Sequence, residues 1–296
     1  MNALGSKTRI RIAAVLACSF WAAPSLAIEP ASPVTDPSLK PWAATVWVDN
    51  KHECSASLID PHWVLTARHC VPLFCEKGDP DPELSRVQVR VPDRPTFPPK
   101  AVVCAKEKDK QIGVLWPNDV ALIRIQFVKE VNSKLPTLSQ VSMTDLPSET
   151  TTLSSPVLSI GWSQGNDKPA RDSAHSLELV PFSRQKCRDL LSGAATCPEP
   201  KNLLLGKTQF CAWAGKIPSS FYGLQKGDSG GPAVHPTTGL PAVVGIASEA
   251  CSTGLAVFED VSSYRQWIVD QVCGYYHKVY PKEEKKCRQR LLSGGK

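Results

Sequence analysis

The sequence predicts an all-β fold. Three observations carry that prediction. Short runs rich in β formers recur along the chain, clusters of turn residues separate them, and only two stretches read as helices. Val87-Gln88-Val89-Arg90-Val91 shows the pattern best, alternating apolar and polar residues as a half-buried strand does. Asp79-Pro80-Asp81-Pro82 before it and the prolines of 92–99 after it are turn and loop chemistry.

Residues 1–27 read as a cleaved secretory signal. Lys7, Arg9 and Arg11 form a positive start, an apolar run follows, and Ser25-Leu26-Ala27 offers small residues to a signal peptidase. The run is too short to span a bilayer. Val15-Leu16-Ala17-Cys18 is a competing lipoprotein-like cut, but the apolar run ahead of Cys18 is very short. The expected location is secreted or periplasmic, and the style of the signal points to a Gram-negative bacterium. Residues 28–41 form an N-terminal arm, extended by Pro30, Pro33, Pro37 and Pro41.

The main domain runs from 42 to 273. Its strand signals are 43–48, 57–65, 87–91 and 120–127, the last with Arg124 as a polar break. Residues 132–155, rich in Ser, Pro and Thr, are read as a crossing between two halves. Strands at 157–162, 176–180, 208–212, 241–247 and 255–261 follow, and helices are expected at 184–191 and 262–272. Residues 274–296 are a basic tail, carrying Lys282, Lys285, Lys286, Arg288, Arg290 and Lys296, and are read as solvated.

The formal net charge is +6, and half of it belongs to Lys7, Arg9 and Arg11 in the signal. So small a balance does not call for nucleic acid. Of 11 cysteines, Cys18 leaves with the signal, and an even number remains. In an exported chain that reads as disulfides. No Cys-x-x-Cys or His spacing suggests a metal, and no cofactor is expected. His52, His62, His175, His235 and His277 lie in polar or loop contexts and are read as surface residues.

Gly227-Asp228-Ser229-Gly230-Gly231-Pro232 concentrates the chemistry. A nucleophilic serine needs an exposed Oγ, backbone N–H groups aimed at a developing oxyanion, and a base within reach. Flanking glycines allow the tight turn and the approach of a carbonyl. Trp63-Val64-Leu65-Thr66-Ala67-Arg68-His69-Cys70 supplies a histidine after an apolar run. Asn118-Asp119-Val120-Ala121-Leu122 supplies an acid ahead of another. The chain order His, Asp, Ser is one of three known for this triad.

These stretches resemble the chymotrypsin/trypsin-like serine proteases over roughly 42–268. Cys54-Ser55-Ala56-Ser57-Leu58-Ile59 resembles the segment before the catalytic histidine. Gly161-Trp162-Ser163 resembles a Gly-Trp-Gly turn, Phe210-Cys211-Ala212 a disulfide site, and Tyr264-Arg265-Gln266-Trp267-Ile268 the C-terminal helix. The resemblance implies two six-stranded antiparallel barrels, a C-terminal helix and a cleft between the barrels. It implies a secreted serine endopeptidase that works through an acyl-enzyme and acts on a protein or peptide, as a monomer, with no membrane span. His69 would be the base, Asp119 its orienting acid and Ser229 the nucleophile. The N–H groups of Gly227 and Ser229 would form the oxyanion hole, and Ser248 would support the acid. The disulfides Cys54–Cys70 and Cys187–Cys211 are implied. Cys75–Cys104 and Cys273–Cys287 are further expectations that leave Cys197 with Cys251, and the sequence does not fix these three.

Two departures from the family stand out. The basic residue followed by Ile-Val-Gly-Gly is absent, so the amine that would pair with Asp228 is expected at Ile28 after cleavage, or at Val34. The acid that gives trypsin-like specificity is replaced by Gly223, followed by Leu224 and Gln225, and Ser248-Glu249-Ala250 stands where the family has Ser-Trp-Gly. With Ala256 on the pocket wall, the expected specificity is for small or apolar side chains and not trypsin-like. Glu249 is a competing site for a basic residue. The rival readings are an esterase and a catalytically weak binding protein on a protease scaffold.

Overall fold

The computed structural model describes residues 32–34, 39, 42–106, 117–126, 128, 135–144, 156–163, 174–192, 204–214, 223–235, 241–251 and 254–293. The first half builds one sheet from β-branched and aliphatic runs. β1 (Ser32–Pro33) belongs to the second half; β2 (Ala43–Val48), β3 (Lys51–Asp60), β4 (Trp63–Thr66), β5 (Val87–Arg90), β6 (Ala101–Cys104) and β7 (Ala121–Arg124) form a six-stranded antiparallel sheet ordered β5-β2-β3-β4-β7-β6. β5 buries Val87 and Val89 and leaves Gln88 and Arg90 partly exposed, as its alternation predicts.

The second sheet contains β8 (Thr137–Leu138), β9 (Val157–Gly161), β10 (His175–Pro181), β11 (Gln209–Trp213), β12 (Pro232–His235), β13 (Ala242–Ala250) and β14 (Leu255–Asp260). Its path β10-β11-β14-β13-β12-β9 closes on itself because β9 also pairs β10. The result is a six-stranded barrel, to which the two-residue strands β1 and β8 are added at β10 and β13. The crossing therefore contributes a strand where the sequence reading had only connection. Phe210 and Phe258 stack at 5.3 Å in the core of this barrel.

α1 (Arg184–Ser192) matches its expected span. α2 (Val261–Val279) starts at Asp260, whose side chain accepts the Ser262 N–H as an N-cap, and runs past the expected end at 272. The tail is not a solvated extension. It turns at Tyr280 and continues as α3 (Pro281–Leu292), with Pro281 in the first turn. The physical reason lies in residues that basic composition hides. Cys287 and Leu291 are buried, and Cys273–Cys287 staples α3 to α2. Tyr276 Oη–H donates to Asp60 Oδ1 at 2.9 Å, and Arg290 donates to Asp60 Oδ2 at 2.8 Å and to the Ile59 carbonyl at 2.7 Å.

The disulfides Cys54–Cys70, Cys75–Cys104 and Cys187–Cys211 also form. Cys251 is disulfide-bonded as well; Cys197 lies outside the described residues. Three histidines read as surface groups are buried: His52, His62 and His175. His52 packs on Trp47 and hydrogen-bonds the Cys54 carbonyl at 3.1 Å. Burial pushes its pKa down to about 4, so it is neutral at physiological pH. Among the described residues, no helix is long and apolar enough to cross a membrane.

Candidate active site

Strand pairing brings His69 and Asp119 together. β4 runs into a short 3-10 turn, Arg68–Cys70, and β7 begins just after Asp119. Thr66 pairs with Ala121 across the sheet, so both side chains emerge at one end of the first barrel. His69 Nδ1–H donates to Asp119 Oδ2 at 2.7 Å, and the His69 backbone N–H donates to Oδ1 at 2.8 Å. From the second barrel, Ser248 Oγ–H donates to Oδ2 at 2.6 Å. Asp119 is 1% exposed and fully engaged. Burial pulls the His69 pKa down, but the hydrogen bond and charge of Asp119, aided by Glu249, outweigh it. The net result lies above the ordinary histidine value.

Ser229 sits in the turn that leads into β12. The Gly230 N–H donates to the Ala247 carbonyl at 2.7 Å and the Ala247 N–H to the Gly231 carbonyl at 2.8 Å, which fixes the turn on β13. Gly230 has φ of 77°, and a side chain there would run into Thr66 Oγ1 and the Ser55 carbonyl. The first barrel holds the same turn through Ser55. Its N–H donates to the Ser229 carbonyl at 2.8 Å, its Oγ–H donates to the Gly227 carbonyl at 2.8 Å, and its Oγ accepts the Trp162 N–H at 2.9 Å. Among the described residues, the N–H groups of Gly227 and Ser229 donate to no protein acceptor. They are the amides the sequence reading assigned to an oxyanion.

Asp228 is 1% exposed. Its Oδ2 accepts the Gln225 N–H at 2.8 Å, and its Oδ1 lies where any side chain on Gly161 would collide with it. Ile28, its expected partner, lies outside the described residues.

His69, Gly227 and Ser229 line one cavity of about 340 Å³, together with the Cys54–Cys70 disulfide, Leu73 and Phe74. Leu73 is 69% exposed at its edge. The Cys54 and Cys70 sulfurs near His69 are taken up by their disulfide, so they offer no thiolate to a metal. Size alone does not mark a site. A cavity of about 650 Å³ lies between Asp60–His62 and the tail helices, but there Arg290 is paired with Asp60 and Lys286 with Glu283.

The residues expected at a specificity pocket are gathered at the edge formed by β13 and β14. Gly223 packs against Gly254, leaving no room for a side chain between them. Leu224 is buried in the same apolar cluster as Ala256. Ala256 pairs with Ala212 and Ala250 and has no exposed surface, so it backs the wall and does not face solvent. Ser248 is buried on Asp119, while Glu249 and Ala250 are half-exposed.

Sequence reasoning missed Ser55 and a buried group behind Asp119. In the sequence Ser55 reads only as part of the segment resembling the one before the catalytic histidine, outside the expected strand at 57–65; it lies inside β3, where it is buried. Glu259 sits in β14 where the pattern gave an ordinary strand, and no short-range signal sets it apart.

The family profile of trypsin matches residues 31–268. The chain is 27% identical over 256 residues to serine protease 28 of Mus musculus, covering 79% of this chain and 85% of that one. It is 26% identical over 251 residues to lectizyme of Glossina austeni, covering 79% and 83%. It is 26% identical over 246 residues to kallikrein-15 of Homo sapiens, covering 78% and 86%. Among solved structures, neuropsin, a serine protease expressed in the limbic system of mouse brain, is similar with a TM-score of 0.57 at 20% identity. That match covers 80% of this chain and 96% of neuropsin. These relatives are animal proteins and give the bacterial origin read from the signal no support.

Proposed function

The chain belongs to the trypsin family and is a serine endopeptidase, and on that premise we propose that His69, Asp119 and Ser229 carry the reaction. The observation that carries this reading is the His69–Asp119 hydrogen bond of 2.7 Å beside a cavity that Ser229 and Gly227 also line. Ser229 Oγ attacks the carbonyl carbon of a peptide bond while His69 takes the Oγ proton. Asp119 fixes the tautomer and stabilises the imidazolium. The N–H groups of Gly227 and Ser229 bind the oxyanion. His69 then hands its proton to the leaving amine, and the acyl-enzyme is hydrolysed by water that His69 deprotonates. The amine that shapes the oxyanion hole through Asp228 is the Ile28 amine freed by removal of residues 1–27, and the protein is secreted.

The substrate side chain entering the primary pocket is small or apolar. Gly223 replaces the acid that would pair with Lys or Arg, and Leu224 and Ala256 supply apolar surroundings. A peptide library incubated with the mature protein tests this. Cleavage after small or apolar residues is expected, and it disappears in Ser229→Ala. Preferred cleavage after Lys or Arg overturns the specificity, and cleavage that survives in Ser229→Ala overturns the assignment of the nucleophile.

Ser55 supports the same turn. Ser55→Ala leaves the Gly227 carbonyl without its donor and the Trp162 N–H without its acceptor, which costs on the order of 1–3 kcal/mol locally. The expected result is a fall of about tenfold in kcat with KM nearly unchanged, because the oxyanion contacts form chiefly in the transition state. Steady-state kinetics on one cleaved peptide measure it.

A further inference from the structure

A second carboxyl lies behind the catalytic acid. Glu259, at the end of β14, has no exposed surface. Its Oε1 accepts the backbone N–H of Asp119 at 3.2 Å and Gln209 Nε2–H at 2.9 Å. Its Oε2 meets the Thr208 hydroxyl at 2.9 Å and the Tyr264 hydroxyl at 2.8 Å. The two oxygens differ in kind. The Asp119 N–H can only donate, and Gln209 presents its Nε2–H because its own oxygen accepts the Gly206 N–H at 2.8 Å, so Oε1 is always an acceptor. Hydroxyls can turn, so Oε2 is satisfied whether or not it carries a proton. When Glu259 is ionised, both hydroxyls donate to it. When it is protonated, it donates to Thr208 Oγ1, and Tyr264 Oη–H is released to Asn118 Oδ1 at 3.2 Å. The site therefore accommodates either charge state without rearranging a heavy atom.

We propose that Glu259 is a positioning residue for the reaction, anchoring the backbone of Asp119 and adding a switchable negative charge behind the His69–Asp119 pair. This rests on the triad reading above. The groups facing it make the switch specific. From the loop before β7 it meets Asp119, from the start of β11 Thr208 and Gln209, and from α2 Tyr264, whose hydroxyl also reaches Asn118. Asp119 and Tyr264 are the titratable ones among these partners. The next carboxyl along the chain, Asp260, is directed to Ser262, Met143 and Thr144 instead. Beyond Asp119 lies His69, which also feels Glu249. Burial pushes the Glu259 carboxyl up to about 7, although the hydrogen bonds from Tyr264, Asp119, Gln209 and Thr208 pull it down. Burial and the Glu259 charge hold the Tyr264 phenol above its ordinary value, so it stays a donor.

Ionised Glu259 favours the imidazolium of His69 and raises its pKa. As pH rises through the neutral range, Glu259 gains charge while His69 loses it. Each loss of a proton therefore hinders the other, and the acid limb of kcat/KM is broader than one proton alone would give. Glu259→Gln keeps an oxygen for the Asp119 N–H and an amide for the two hydroxyls, but carries no charge.

The experiment is the pH profile of kcat/KM for wild type, Glu259→Gln and Tyr264→Phe, with Ser229→Ala as control. Glu259→Gln is expected to move the acid limb to lower pH by roughly one unit, the size that a charge about 10 Å from the imidazole gives at an effective dielectric near 20, and to sharpen it to a one-proton curve. Tyr264→Phe removes a donor that favours ionised Glu259 and moves the limb in the same direction by less. A Glu259→Gln profile that overlays wild type in position and steepness overturns the proposal while Ser229→Ala stays inactive. Activity in Ser229→Ala overturns the triad reading instead.

Discussion

Asp119→Asn is expected to lower kcat by about 10⁴-fold with little change in fold, the size of the effect in the Ser-His-Asp template, which is drawn from this family. The cause lies in the donors around the carboxylate. Asp119 accepts from His69 Nδ1, the His69 backbone and Ser248 Oγ. An asparagine amide cannot accept on both sides. Its NH₂ faces a donor, and the imidazole turns its proton to Nε2, where Ser229 needs a base. The measurement is kcat on a cleaved peptide, with circular dichroism to verify the fold. A loss below tenfold would mean that Asp119 does not orient the base.

The second large effect concerns stability and lies far from the cleft. Arg290→Met is expected to destabilise the protein by about 3–5 kcal/mol, the usual result of breaking a buried ion pair from one side. Asp60 is 2% exposed and, among the described residues, keeps only Tyr276 Oη and the His62 N–H as donors once the guanidinium is gone. The Arg290 bond to the Ile59 carbonyl is lost too, so α3 loosens from the first barrel. The double variant Asp60→Asn with Arg290→Met recovers much of the loss, because no unpaired charge stays buried. Denaturant midpoints for the three proteins measure both statements. A single variant as stable as wild type would mean that the disulfide, Leu291 and the Arg265 bond to the Leu292 carbonyl hold the tail without the Arg290–Asp60 pair.

The sequence was most readable where local chemistry repeats a pattern. Val87 to Arg90 alternate because one face of the strand is buried, and Arg68-His69-Cys70 follows an apolar strand that had to end somewhere. The Cys54–Cys70 and Cys187–Cys211 pairs followed from the resemblance, and the Cys75–Cys104 and Cys273–Cys287 expectations also match the structure. What escaped depends on contacts across long stretches of chain. Arg290 reads as one more cation in a basic tail until Asp60, from the other end of the chain, is placed beside it. His52, His62 and His175 read as polar surface because their neighbours in sequence are polar, while their neighbours in space are strands and rings. Ser55 and Glu259 occupy ordinary strand positions, and their roles arise only when Gly227, Trp162 and Asp119 are brought to them.

We propose that Ser229 is an activated nucleophile beside a formed oxyanion hole. Reaction of the mature protein with a fluorophosphonate probe, read by intact mass and by mapping the modified peptide, tests it most directly. The expected result is one adduct per molecule, located on Ser229, lost in Ser229→Ala and strongly slowed in Asp119→Asn. A folded protein with a free Ile28 amine that takes up no probe, or takes it up elsewhere than Ser229, would contradict it.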